Sequence, residues 1–210
     1  TGALDSETSA DIMNILIVYC HPSNLSYTFD IYNHLKKMLI SENCFIEVSD
    51  LYANNFQSNL TVEEYQREGG NNIKLSIPND VLEEHRKIEN ADCIIFLYPV
   101  WWSDCPAMMK GWFDRVYCLG YAYGQVAELP KMKIIKQGIV ICTGGHPNKF
   151  LEEIGIAQSM EKVMLEDRLG TRFQHKEMLI LGGTLAIDEV RKEHLGQISE
   201  LVKKIGVKCD

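Results

Sequence analysis

Five short apolar runs separated by longer amphipathic stretches leave this chain few folds to choose from. Ile15-Leu16-Ile17-Val18-Tyr19 is the first run, Cys44 to Leu51 alternates as the second, and Cys93-Ile94-Ile95-Phe96-Leu97-Tyr98 is the third. Gly138 to Cys142 and Met178-Leu179-Ile180-Leu181 complete the set. The third run is apolar throughout, so it is expected to be a strand covered on both faces. Between the first two runs Leu25, Phe29, Tyr32, Leu35 and Leu39 recur at intervals of three and four, the spacing of one helix face. Asp80-Val81-Leu82-Glu83 resembles a capping box opening a helix with Val81, Leu82, His85 and Ile88 on one side. Met109, Phe113 and Val116 after Pro106, and Leu195, Ile198, Val202 and Ile205 after Asp188, predict two more helices. On the first of these, Lys110 and Asp114 are spaced as an i, i+4 pair and Arg115 reads as a surface charge. Strands alternating with helices of this length imply βαβ units: an α/β domain with a parallel sheet and helices on both faces.

Two stretches stand apart. Thr1 to Ile12, before Met13, reads as a tail outside the fold, leaving residues 13–210 as a single domain. Tyr52 to Asn79 is the one long connection, with a short helix opening at Thr61-Val62-Glu63-Glu64 and a turn at Gly69-Gly70-Asn71-Asn72. With 210 residues, 46% of them hydrophobic, the chain can bury a core. Its 29 acidic against 21 basic side chains give a net charge of −8, which argues against nucleic acid or anionic lipid as partner. No apolar run has the roughly 18–20 residues that span a bilayer, so no membrane insertion is expected. Seven cysteines without a C-x-x-C pair read as free thiols of a reducing compartment, the cytoplasm. The six histidines show no metal-ligand spacing, so no metal site is expected. Cys142 reads as a buried, inert thiol.

In open parallel sheets ligands bind beyond the carboxyl ends of the strands. After the first strand, Cys20-His21-Pro22-Ser23-Asn24-Leu25-Ser26-Tyr27-Thr28 runs into a helix. Hydroxyls, a histidine and a helix N-terminus suit a phosphate, although an ordinary N-cap has the same composition. After the third strand, Tyr98-Pro99-Val100-Trp101-Trp102-Ser103-Asp104-Cys105-Pro106 is a stiff aromatic loop that could hold a flat heteroaromatic ring, one of its two indoles being expected to pack inward. After the fourth, Cys142-Thr143-Gly144-Gly145-His146 offers a backbone that a ligand can approach closely. An anionic end, a flat middle and a hydrogen-bonding rim together describe a flavin.

The run from Tyr98 to Val116, with Pro106-Ala107-Met108-Met109-Lys110-Gly111-Trp112-Phe113-Asp114-Arg115, and its continuation Gly120-Tyr121-Ala122-Tyr123-Gly124, resembles the signature of the flavodoxin-like NAD(P)H:quinone oxidoreductase family. That family includes the DT-diaphorases and the bacterial modulator-of-drug-activity and general-stress reductases. Leu16 to Thr28 is similar to its strand and phosphate turn, and Thr143-Gly144-Gly145 to its T-G-G loop, so the likeness extends over Met13 to Gly206. The resemblance implies a flavodoxin-like three-layer sandwich whose five-stranded parallel sheet has the order 2-1-3-4-5.

It also implies FAD, or alternatively FMN, as cofactor, NAD(P)H as donor, and a quinone or another electron-poor aromatic such as a nitro or azo compound as acceptor in a ping-pong cycle. His21, Ser26, Tyr27 and Thr28 would hold the flavin phosphate. Pro99, Val100, Trp101, Trp102 and Ser103 would line the ring, and Thr143, Gly144 and Gly145 would meet its pyrimidine side. Trp102, Tyr121, Tyr123, His146 and Phe150 would form the substrate pocket, closed in a homodimer. At the two positions where the animal enzymes carry a Tyr and His relay, this chain has Phe150 and Ile156, so that relay is not carried over; His146 sits near enough in sequence to substitute, the alternative being a solvent-facing loop histidine. The alternatives are a flavodoxin-type electron carrier, or a regulatory flavoprotein subunit of an ion-efflux system.

Overall fold

The computed structural model describes residues 12–124 and 131–205. The expected tail, apart from Ile12, and Cys209 lie outside them. Strands β1 (Asn14–Tyr19), β2 (Phe45–Asp50), β3 (Cys93–Pro99), β4 (Ile135–Thr143) and β5 (Phe173–Leu181) pair in parallel in the order β2-β1-β3-β4-β5, as the resemblance implies. Helix α1 (Tyr27–Ser41) follows β1, α2 (Val62–Gly69) and α3 (Asn79–Asn90) follow β2, and α4 (Ala107–Val116) follows β3. After β4 come α5 (Asn148–Glu153), α6 (Ile156–Glu161) and a π-helical segment, Lys162–Leu169; α7 (Ile187–Ile205) closes the described chain.

Alternate residues of each strand face opposite sides of the sheet. Ile15, Ile17 and Tyr19 of β1 join Ile95 and Leu97 of β3 in the core beneath α1 and α7, while Leu16, Val18, Ile94, Phe96 and Tyr98 face α3 and α4. Every residue of β3 is buried, as the continuous apolar run predicts. The result is the expected three-layer sandwich.

Several local expectations are corrected. Leu25 lies before α1 and is exposed, so the buried face of that helix is Ile31, Tyr32, Leu35 and Leu39. The capping box expected at Asp80 is not formed: α3 begins at Asn79 after Pro78, and the Asp80 carboxylate binds Arg115 instead. Leu82, expected on the packed face of α3, is half exposed. A genuine capping box occurs at Thr61, whose hydroxyl accepts from the Glu64 N–H while the Glu64 carboxylate accepts from the Thr61 N–H. Lys110 and Asp114 do pair on the surface. Arg115 does not: it is buried and donates to Glu64, to Asp80 and to the Gln57 carbonyl. This pins the long connection against α4, where a Cβ at Gly111 would stand 2.1 Å from the Ser58 carbonyl oxygen.

Candidate active site at the carboxyl ends of β1, β3 and β4

Ser26 caps α1: its hydroxyl accepts from the Phe29 N–H at 3.1 Å and donates to the Ser23 carbonyl at 3.0 Å. Both hydroxyl functions are thereby used locally, so Ser26 shapes the turn while the first-turn N–H groups of Tyr27 and Thr28 are left without partners within the described residues. A helix start of this kind attracts an anion. His21 sits beside it. Its Nδ1 lies 3.0 Å from the Ser23 backbone nitrogen and 3.1 Å from the Ser23 carbonyl oxygen, so it accepts the Ser23 N–H in one tautomer and donates to the carbonyl in the other. Burial lowers its pKa, against a smaller upward pull from the Ser23 carbonyl, which favours the neutral imidazole.

The side chains of Tyr27 and Thr28 point inward. The Tyr27 hydroxyl meets His194 Nδ1 of α7 at 3.0 Å, and the Thr28 hydroxyl lies 2.8 Å from that of Thr143. Of these two residues, only the backbone is offered to a ligand. The Val100 N–H donates to the Thr143 carbonyl at 2.8 Å, and the His21 ring faces Trp101 edge to face at 6.3 Å between centroids. The loops after β1, β3 and β4 are therefore stitched together at one place.

The aromatic loop departs from expectation. Neither indole packs inward: Trp101 is 43% exposed and Trp102 fully exposed. Trp101 and Asp104 exchange two backbone hydrogen bonds, at 2.9 and 3.2 Å, around Trp102 at φ +52° and Ser103 at φ +62°. Two consecutive left-handed residues make a type I′ turn, which ordinarily selects Asn or Gly. The turn cannot bury its bulky residue because its central side chains project away from the chain.

At the third loop Gly144 is buried and donates to the Leu181 carbonyl, and its own carbonyl accepts from Thr184. Neither Gly144 nor Gly145 has the positive φ that demands glycine, and a Cβ on either would meet nothing closer than 3.5 Å. Gly182, in contrast, would set a Cβ 2.2 Å from Asn148 Oδ1. The packing of this chain explains Gly182 but not the Gly144-Gly145 pair, of which Gly145 is partly exposed and suits a ligand lying against the backbone. His146 and Phe150 stand on the rim with their rings 4.9 Å apart.

Tyr121 and Tyr123 are not brought to this place within one chain. Tyr121 is buried, stacked 3.6 Å from His85, and donates its hydroxyl proton to Glu89 near the end of α3. Glu89 lies just before β3, so about 20 Å of strand separates this level from the Trp101–Ser103 turn. Tyr123 is half exposed and bonds Glu68 at the end of α2.

Sequence reasoning assigned no role to Asp104 and missed Arg168. The two form a bidentate ion pair, Nη1 to Oδ1 at 2.6 Å and Nη2 to Oδ2 at 2.9 Å. Cys142 is fully buried and its thiol pKa is raised by desolvation, which fits an inert role.

A family model described as flavodoxin-like fold matches residues 13–200. An NAD(P)H:quinone oxidoreductase from Methanothermobacter marburgensis superposes with a TM-score of 0.86 at 40% identity, covering 92% of this chain and 99% of that one. An uncharacterized NAD(P)H oxidoreductase of Haemophilus influenzae is 35% identical over 158 residues, 73% of this chain and 75% of its own length. The human ribosyldihydronicotinamide dehydrogenase [quinone] is 35% identical over 122 residues, and there the match spans only 53% of the relative.

Proposed function

This chain belongs to the flavodoxin-like fold family, and from that membership we propose that it is a flavin-dependent NAD(P)H oxidoreductase that passes two electrons to quinones or similar electron-poor aromatics. The observation that carries this reading is the convergence of three loops: the unpartnered Tyr27 and Thr28 N–H groups of α1 beside a neutral His21, the outward-facing Trp102 turn, and the Gly144-Gly145 turn with Gly145 partly exposed, joined through Thr28, Thr143 and Val100. The names of the Methanothermobacter and Haemophilus relatives support the same activity.

The residues present fit the cofactor. The Tyr27 and Thr28 backbone N–H groups and His21 Nε2 suit its phosphate without a Lys or Arg, as expected in a chain of charge −8. Pro99, Val100, Trp101, Trp102 and Ser103 suit the flat ring, and Gly144 and Gly145 its pyrimidine rim, while Ser26 and Thr143 fix the loops from behind. When bound, the flavin supplies the two-electron chemistry between NAD(P)H and the acceptor. The unpartnered backbone N–H groups of Trp102 and Ser103 would stabilise negative charge on the ring, and Trp102, His146 and Phe150 would shield its open face from water.

Tyr123 joins the pocket wall only if two copies associate so that the Tyr123 of one reaches the site of the other; a homodimer is accordingly part of the proposal. FAD remains the preferred cofactor, with FMN as alternative, since the turn at α1 recognises a feature common to both. Six free cysteines among the described residues support residence in the reducing cytoplasm. Among the described residues no helix is long and apolar enough to cross a membrane.

Anaerobic mixing of the yellow protein with NADPH or NADH should bleach the flavin within seconds. A flavin that stays oxidised with both donors sinks the reductase reading in favour of an electron carrier. Release of the cofactor and chromatography separates FAD from FMN.

A further inference from the structure

The turn from Trp101 to Asp104 is built against its own sequence. Both central positions have positive φ, yet neither is glycine, asparagine or aspartate, the residues that accept this conformation readily. Trp102 is fully exposed and gains no packing that would offset the strain, so something outside the turn must hold it. What holds it is visible at Asp104. One carboxylate oxygen accepts the Cys105 N–H at 2.7 Å, and both oxygens receive the fork of Arg168. Arg168 is 7% exposed, its guanidinium lies 5.4 Å from the centre of the Phe113 ring, and Nη1 also approaches the sulfur atoms of Cys105 and Met164. A planar fork seated this tightly can meet a carboxylate in one orientation only.

Arg168 arrives there through a second rare element, the π-helical segment Lys162–Leu169. A π-turn carries an extra residue and so re-aims the side chains that follow it, which is why such segments concentrate at functional sites. Linking a buried arginine to a half-exposed loop carboxylate is a poor way to gain stability, because the arginine must be desolvated. It is an effective way to specify one geometry. Inside the turn the N–H groups of Trp102 and Ser103 have no partner among the described residues, so the conformation that the pair enforces is also one that leaves two donors free.

We propose that Arg168 is a positioning residue for the flavin site: through its bidentate pair with Asp104 it locks the strained Trp102-Ser103 turn so that the two free backbone N–H groups stand ready for the ring. This rests on the flavin reading above. Arg168 touches neither cofactor nor substrate, and acts only through Asp104.

The test uses Arg168→Met, which keeps the packing against Phe113 and leaves Asp104 free to take water, and it has two readouts on flavin-stripped protein. In hydrogen exchange, the Trp101 and Asp104 amides should lose protection while those of β3 and β4 keep theirs. In fluorescence titrations, riboflavin and FMN should both bind about tenfold more weakly, with the ratio of their affinities unchanged, since the phosphate turn at α1 is not touched. Adding Ser103→Gly to Arg168→Met removes strain at one turn position and should restore most of the affinity. Wild-type affinity in Arg168→Met, a changed FMN to riboflavin ratio with protection lost throughout the sheet, or failure of the glycine rescue would each overturn the proposal. If the unaltered protein binds neither flavin, the flavin reading itself fails, and the amide exchange still reports whether Arg168 holds the turn.

Discussion

The hydroxyl oxygens of Thr28 and Thr143 lie 2.8 Å apart, both residues buried, and tie the first turn of α1 to the last residue of β4 across 115 positions of sequence. Their pairing ties the turn before α1 to the glycine loop after β4.

Removing one hydroxyl should therefore cost more than removing both. Thr143→Val leaves the Thr28 hydroxyl buried without its partner, for a loss of about 1–3 kcal/mol, whereas replacing both by valine leaves no orphaned polar atom. Urea unfolding of the two single variants and the double variant measures this; a double variant as destabilised as the sum of the singles would refute the pairing.

His21 should titrate below its ordinary value of about 6.5, because burial disfavours the imidazolium more than the Ser23 carbonyl favours it. A pKa lowered on folding means that the neutral form is favoured by the folded state. The contribution to stability is thus complete above the unfolded value and fades as pH falls through the folded one. NMR should find the ring neutral at neutral pH and a midpoint that rises when FMN is added, as a phosphate dianion favours the charged ring. A midpoint above 6.5 without ligand would contradict the geometry.

Gly144→Ala and Gly145→Ala are expected to fold with nearly unchanged melting temperature, since a Cβ at either position finds free space, yet to take up flavin poorly. Gly182→Ala should do the reverse damage, losing about 1–3 kcal/mol by overpacking against Asn148 and the His146 carbonyl. Thermal melts with and without FMN distinguish the two cases.

Trp102→Ala removes an indole that touches little of its own chain, so stability should stay within about 0.5 kcal/mol. A stacking contact of roughly 0.5–1.5 kcal/mol predicts that KM for a quinone acceptor rises about two- to tenfold. Steady-state kinetics with menadione would show it, and an unchanged KM would remove Trp102 from the pocket.

Elements with strong patterns were readable directly. The continuous run in β3 and the spacing of Leu35 and Leu39 led to correct elements because burial dictates composition there. Four early residues of β5 were not readable: Gln174, His175, Lys176 and Glu177 belong to an edge strand and are exposed or half-buried, so no apolar alternation marks them. Asp80-Val81-Leu82-Glu83 had the outline of a capping box, but a buried Arg115 claimed the Asp80 carboxylate first. At the site, the three loops were legible from their place after each strand, whereas the Asp104 and Arg168 pair joins positions 64 apart and has no local signature. Apolar character argues for burial only where the backbone turns the side chain inward: Trp102, at φ +52°, projects fully into solvent, and Trp101 at the start of the same turn is 43% exposed.

Arg115 has a consequence for how the molecule comes apart. Long surface connections are ordinarily where a protease first enters. Here the buried guanidinium grips Gln57, Glu64 and Asp80 together, so the segment from Tyr52 to Asn79 cannot peel away without stranding a charge in the interior. The connection and α4 should open as one cooperative unit, and nicking should begin elsewhere on the surface.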